Sequence, residues 1–307
     1  MYDLIIIGGG PAGTAAGVYA SRKRLKTAVI ACEFSGQSVV SEDVQNWIGT
    51  VSIPGKELAE NMKKHLQAYA EDVVDIVEGE KIKALSKSDD GFVAVTESGK
   101  EYKAKNVLIA SGANRRKLPV EGADEFEHKG LTYCASCDGP LFSGQDVVVI
   151  GGGNAGFETA AQLLAYTKSV TLLCRKPVCK ADPVTVTKVS AHPNMTVLTE
   201  ADITKVKGDQ FVTGISYKDL KTGEIKDIET NGIFVEIGNI PATDFAKDVV
   251  KLDDFNRIIT DPKNQQTSTP GIWAAGDVTD ELYHQNNIAA GDAVKAVEDI
   301  YQAHTAR

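Results

Sequence analysis

Cys134 and Cys137 stand two residues apart in "TYCASCDGP", and Asp138 follows the second directly. Thiols at that spacing can grip a metal, staple a loop, or cycle between dithiol and disulfide. A structural zinc site takes four ligands. The remaining cysteines are Cys32, Cys174 and Cys179, and the last two flank an Arg-Lys pair after a predicted strand, a weak second half for such a site. Five cysteines is an odd number and makes no disulfide framework in a chain of 307 residues. Redox cycling is therefore the leading reading. Only a thiolate attacks a disulfide efficiently, so such a pair needs a lowered pKa or a nearby base. Asp138 stands directly beside the pair, in an Asp-Gly-Pro run that is also a strong turn signal.

Electrons cycling through thiols need a carrier, and the elements around the pair supply two candidate sites. "DLIIIGGGPAGTAAGVYA" opens the chain and "DVVVIGGGNAGFETAAQLL" begins at Asp146. Each is a short β-branched run, then glycines, then an alanine-rich helical stretch. Each carries G-x-G-x-x-G: Gly8, Gly10 and Gly13, then Gly151, Gly153 and Gly156. The first glycine permits a tight turn, the second lets backbone approach a pyrophosphate, and the third lets helix pack on strand. The helix N-terminus then offers free N–H groups to the phosphates. Pro11 and Ala12 fill the first loop, and Asn154 and Ala155 the second. One such motif is weak evidence, but two copies, each between a strand and a helix, have the confirming context.

The ends of the second strands distinguish the two nucleotides. Glu33 lies twenty residues past Gly13, where an acid can accept from ribose hydroxyls, as FAD or NAD requires. Arg175 lies nineteen residues past Gly156, with Lys176 and Lys180 close by and no acid at the strand end. Those cations suit the 2′-phosphate of NADPH. FAD in the first unit and NADPH in the second is the economical assignment.

The second unit reads as inserted into the first. Segments 106–119 and 232–245 are strands ending in turn residues and form a double linker. "GIWAAGDV" is a later strand, and residues 286–304 have helical spacing. The expectation is an α/β fold of two Rossmann-like three-layer ββα dinucleotide-binding domains. Residues 1–113 and 242–307 form the FAD-binding domain, and 114–241 form the NAD(P)H-binding domain carrying the C-x-x-C. Stretches near 74–104 and 196–230 alternate like antiparallel strands. The formal charge of −9 disfavours nucleic acid and anionic lipid as partners. No apolar run reaches the roughly 18 residues that span a bilayer. The N-terminus reads as a first strand rather than a signal peptide, so the expected location is cytoplasmic.

"TYCASCDGP" joined to the two glycine motifs and "GIWAAGDV" resembles the low-molecular-weight thioredoxin reductases. "KGLTYCASCDGPLF" is also similar to the C-terminal flavoprotein part of the alkyl hydroperoxide reductase reductase subunit. The resemblance covers essentially the whole chain. It implies FAD, NADPH or NADH as donor, a redox-active Cys134–Cys137 disulfide, a thioredoxin or thioredoxin-like partner, and a homodimer. It places Gly36 and Gln37 of "SGQ", and Asn46 of "QNW", beside the flavin. Ala110, Gly112, Gly276 and Asp277 would complete the FAD site, with His284, Gln285 and Asn286 of "YHQNN". The family's NADPH stretch is His-Arg-Arg, three residues, then Arg; here Cys174, Arg175, Lys176 and Lys180 occupy those places. Positive charge survives, but part of the bidentate guanidinium fork is lost. The family favours Arg or Lys where this chain has His284.

The resemblance also implies that Cys137 is the thiol nearest the flavin, that Cys134 attacks the partner's disulfide, and that Asp138 is the acid or base that moves a proton for the thiols. The cysteines and the nicotinamide loop share the inserted domain, so both must reach one flavin in turn. A rotation about the two linkers would alternate them. The chain starts at the FAD strand with no other C-x-x-C, so electrons are expected to leave to a separate protein or small disulfide. Two alternatives keep the fold: a reductase fed by ferredoxin or another non-nicotinamide donor, and a flavin-dependent dithiol oxidase.

Overall fold

Hydrophobic runs with both faces covered dictate the frame. In the computed structural model, which describes residues 1–41 and 44–305, the chain divides into two compact units. The first comprises Met1–Val40, Trp47–Asn114 and Ile240–Arg307, and the second Ser41–Asn46 and Arg115–Asn239.

The first unit is built on β1 (Tyr2–Ile7), α1 (Pro11–Arg22), β2 (Thr27–Ala31), α2 (Gly55–Ala70), β3 (Val74–Glu78), β4 (Ile82–Ser88), β5 (Gly91–Thr96) and β6 (Glu101–Ile109). Strands β3, β2, β1 and β6 run parallel. The N-terminal half of β6 pairs antiparallel with β5, and β5 with β4. Alternation along β1 explains the layering. Leu4 and Ile6 face helices, packing with Ala16 of α1 and Ala293 and Val297 farther along the chain, while Ile5 and Ile7 face Leu85, Phe92 and Ala94. A strand buried on both sides reads as one apolar run, as "LIII" does.

Two segments cross between the units: β7 (Ala113–Arg115) on the way out and β16 (Asn239–Pro241) on the way back. They pair as a two-stranded sheet.

The second unit repeats the plan. It contains β8 (Leu131–Thr132), α3 (Ala135–Asp138), β9 (Asp146–Ile150), α4 (Asn154–Leu163), β10 (Ser169–Cys174), α5 (Pro183–Ser190), β11 (Met195–Thr199), β12 (Ala201–Gly208), β13 (Val212–Asp219), β14 (Ile225–Glu229) and β15 (Gly232–Val235). Its parallel sheet has the order β11-β10-β9-β15-β8. Val147 and Val149 face α4 through Phe157, Ala160 and Leu163. Val148 and Ile150 face the antiparallel β12-β13-β14 sheet through Val206, Val212 and Ile215. Back in the first unit, β17 (Ile272–Ala274) pairs parallel with the C-terminal half of β6, and α6 (Asn286–Thr305) packs against α1.

Both units are thus helix–sheet–sheet sandwiches, and the second is inserted into the first. One strand expectation needs correcting. Within 74–104, β3 is not antiparallel but continues the parallel sheet beside β2, and within 196–230 the start belongs to β11, parallel to β10. Both are outermost strands of their sheets and partly exposed, so they mix polar with apolar residues instead of reading as one apolar run. Among the described residues, no helix is long and apolar enough to cross a membrane.

Candidate active site

Each glycine motif occupies the turn at the carboxyl end of a parallel sheet, where open α/β folds bind ligands. Gly8 has φ +124°, and a Cβ there would overlap the Ala110 carbonyl. A Cβ on Gly13 would overlap the carbonyl of Gly8. The second unit reproduces these contacts: Gly151 at φ +136° lies against the Glu236 carbonyl, and Gly156 against that of Gly151. The middle glycines differ. Around Gly10 the nearest atom to a Cβ would be the Gly36 Cα at 3.7 Å, and around Gly153 nothing lies within 4 Å. Packing within the chain does not require those two to be glycine, and the open space beside each suits close approach of a group from outside. Gly10 and Gly153 are the N-caps of α1 and α4, and neither helix has a side-chain cap. The first-turn N–H groups are therefore left for a ligand. The two cradles fit dinucleotides.

In the first unit, Gln37 donates to the Ala113 carbonyl at 2.7 Å and to Asp277 Oδ2 at 3.0 Å. Gly36 sits at φ +86° against Pro11, and Gly276 at φ +76° between Ala12 and Ala289. Asn286, at the start of α6, exchanges hydrogen bonds with Ser38. Gly112, with φ +67°, accepts through its carbonyl from the Ala242 N–H. The fold therefore gathers Gly10, Pro11, Ala12, Gly36, Gln37, Gly276, Asp277 and Asn286 at the carboxyl end of one parallel sheet. Glu33 is exposed just past β2, its carbonyl against Gly9. His284 turns to the Glu281 carbonyl at 3.1 Å, and Gln285 is exposed, its carbonyl accepting from Ala289 at 2.9 Å. Asn46 falls in the short stretch grouped with the second unit.

In the second unit, the basic loop after β10 is tied to the glycine turn. The backbone N–H groups of Lys180 and Ala181 donate to the Gly152 carbonyl at 2.7 and 3.2 Å. Asn154 Oδ1 accepts from the Asp182 N–H at 2.8 Å, and Ala155 is exposed beside it. Arg175 pairs through Nε with Asp202 Oδ1 at 2.9 Å, an acid that sequence reasoning misses because it lies a strand away. Lys176 and Lys180 are exposed and, among the described residues, make no ion pair.

The redox pair follows β8 in the same unit. Cys134 and Cys137 are joined by a disulfide, with Cα atoms 5.3 Å apart. Cys134 is the extended N-cap of α3, and its Sγ accepts from the Cys137 N–H at 3.2 Å. Asp138 is half-buried, and the Thr132 hydroxyl donates to its Oδ2. Gly139 lets the chain pass under the Tyr166 hydroxyl, where a Cβ would clash.

One further titratable group gives no signal in the sequence. Glu236 follows β15, in the place that Ala110 takes after β6 in the first unit. It accepts from the Thr159 hydroxyl at 2.9 Å and lies 3.9 Å from Arg115. Burial pushes its carboxyl above the ordinary carboxylate value, against the opposing pull of Arg115 and Thr159.

Known proteins agree with this geometry. Residues 2–306 match the family described as pyridine nucleotide-disulphide oxidoreductase. A curated NADH dehydrogenase of Bacillus subtilis is 40% identical over 295 residues, 96% of this chain and 57% of that protein. The F subunit of alkyl hydroperoxide reductase of Pseudomonas aeruginosa is 41% identical over 296 residues, with the same shares. The chain thus spans 57% of the length of these curated relatives. A thioredoxin reductase structure from Streptococcus pyogenes superposes with TM-score 0.91 at 33% identity, covering 100% of this chain and 99% of that one. A second, from Giardia duodenalis, gives 0.90 at 32%, covering 98% and 99%.

Proposed function

The chain belongs to the pyridine nucleotide-disulphide oxidoreductase family, and from that premise we propose that it passes electrons from NADPH or NADH, through FAD, to the Cys134–Cys137 disulfide and on to a thioredoxin-like protein disulfide. The observation that carries the reading is the disulfide itself, hydrogen-bonded at Cys134 Sγ and followed by a fixed carboxylate.

FAD belongs to the first unit, held by Gly8, Gly10, Gly13, Gly36, Gln37 and Asp277; the nicotinamide nucleotide belongs to the second, held by Gly151, Gly153, Gly156, Asn154, Lys176 and Lys180. When bound, the two cofactors supply an electron pair to the disulfide. The remaining chemistry is the chain's own. Once the disulfide opens, the Cys137 N–H stabilises negative charge on Cys134 Sγ and so favours the thiolate there. That thiolate attacks one sulfur of the partner's disulfide and forms a mixed disulfide, releasing the other sulfur as a thiolate. Cys137 then attacks Cys134 Sγ, which restores the internal disulfide and frees the partner's second sulfur as a thiolate; with the Cys137 proton and one from water the partner leaves as a dithiol. Asp138, held by Thr132, takes the Cys137 proton and returns it to a departing thiolate. A thioredoxin near −270 mV is a sensible acceptor. The working form is a homodimer.

Similarity to the alkyl hydroperoxide reductase relative over 96% of the chain favours a second acceptor, a disulfide in a peroxide-reducing system. The experiment is a stopped-flow assay of the FAD-loaded protein. With NADPH or NADH it should reduce thioredoxin or a peroxidase-linked disulfide at rates above 1 s⁻¹, the low end of typical enzyme turnover, about 1–10³ s⁻¹. Turnover with neither disulfide, despite flavin reduction, would refute the acceptor class.

A further inference from the structure

A second pair of thiols lies where the nicotinamide loop is built, and the redox relay does not use it. Cys174 ends β10 and is buried; Cys179 lies five residues on and is half-buried. Both sulfurs converge on one spot. A Cβ added to Gly152, the glycine inside the second G-x-G-x-x-G, would strike Cys174 Sγ and come within 3.3 Å of Cys179 Sγ. Both are free thiols, and they face the same glycine. Between them run Arg175, Lys176, Pro177 and Val178. Just beyond, the Lys180 and Ala181 N–H groups hold the loop onto the Gly152 carbonyl. Among the described residues no group of three or more His, Cys, Asp or Glu could hold a metal ion, so the pair is no half-made zinc site.

We propose that Cys174 and Cys179 form a second, reversible disulfide that weakens nicotinamide nucleotide binding. The control rests on the assignment of this loop to the nucleotide; the disulfide does not. The oxidant is a low-molecular-weight disulfide. Cys179, the more accessible sulfur, attacks it as thiolate and releases one thiol. Cys174 then displaces the second thiol from the mixed disulfide. Two protein thiols lose two electrons and two protons, and one small disulfide becomes two thiols. Closing the bond draws the two sulfurs to about 2.05 Å. The segment carrying Arg175 and Lys176 must shift with them, against the backbone bonds at Gly152. Burial and the Cys174 contact push the Cys179 thiol up to about 11. Thiolate is therefore scarce at neutral pH, and the pair closes only under sustained oxidation.

The test uses the full chain carrying Cys134→Ser and Cys137→Ser, which isolates the second pair, with flavin content confirming the fold. After oxidised glutathione, alkylation and tryptic digestion, the expected species is SVTLLCR (169–175) joined to KPVCK (176–180). Recovery of both peptides singly alkylated or singly glutathionylated would overturn the disulfide. Calorimetric titration with NADPH should show at least threefold weaker binding by the oxidised protein, reversed by dithiothreitol. Adding Cys179→Ser should abolish both effects. Equal affinities of the two forms would overturn the control. Failure of both forms to bind NADPH or NADH would instead overturn the nucleotide assignment and the control with it, while the linked peptide would still establish the disulfide.

Discussion

At the scale of single residues, the roles around Cys134 are separable. Cys134→Ser should leave flavin reduction by NADPH or NADH intact while abolishing protein-disulfide reduction, at least about 10³-fold, because the attacking sulfur is gone. Asp138→Asn should lower turnover about 10²–10³-fold by the usual worth of a positioned acid or base. Thr132→Val leaves that carboxylate in place but removes its donor, so a smaller loss is expected, with a displaced pH–rate profile; an unchanged profile would exclude Thr132 as a positioning residue. On the proposed nucleotide assignment, the ion pair of Arg175 with Asp202 would divert one cation from a 2′-phosphate. Asp202→Asn should therefore raise the NADPH-over-NADH ratio of kcat/KM, and no change would mean that Arg175 is not a phosphate ligand. Glu236 gives a pH test. Its folded pKa is raised chiefly by burial. The associated stability is full below the ordinary carboxylate pKa and is lost as pH rises through the folded value. Glu236→Gln should thus melt higher than the parent at pH 8, with the gap closing towards pH 5.

At the scale of elements, the two βα turns separate packing from binding. Gly13 and Gly156 pack against backbone carbonyls of their own turns, which cannot move aside. Alanine at either should destabilise its unit, with a fall in melting temperature of about 2–4 °C per kcal/mol lost. Gly10 and Gly153 meet no such obstacle. Alanine there should leave melting of the cofactor-free protein unchanged and still weaken binding, of FAD for Gly10 and of the nicotinamide nucleotide for Gly153. A stability loss at Gly153 would show that its role is packing. These turns were legible in the sequence because their physics is local: a strand, a tight turn and a helix within twenty residues. So was the disulfide, from its spacing and its aspartate. What escaped depends on distant chain meeting. Gln37 reaches Asp277 across 240 residues of sequence. Asp202 finds Arg175 from a neighbouring strand, and the Glu236 carboxyl is buried by β15 ending beside α4. The pairing of Cys174 with Cys179 over Gly152 was equally hidden, because spacing alone does not show that a loop folds back on a glycine. Strands β3 and β11 misled because outermost parallel strands are partly exposed and carry polar residues among the apolar ones.

At the scale of the molecule, the chain carries one glycine cradle in the first unit, proposed for the flavin, and the other, proposed for the nicotinamide nucleotide, in the second unit with the disulfide, and the crossings β7 and β16 pair with each other. On that assignment one flavin serves both in turn, and the expected device is rotation about those crossings. A cross-link locking them should leave a single flavin event, reduction or reoxidation, fast and stop continuous turnover; normal turnover by the locked protein would refute alternation. All of this requires that an electron pair entering from the nicotinamide nucleotide reach the sulfurs at 134 and 137. Anaerobic titration with NADPH or NADH, followed by flavin absorbance and thiol counting, decides whether it does. The native protein should take up one electron pair more than the Cys134→Ser/Cys137→Ser variant, and those two cysteines alone should become newly alkylatable. Equal uptake by both proteins, with the disulfide still closed beside a bleached flavin, would contradict the relay.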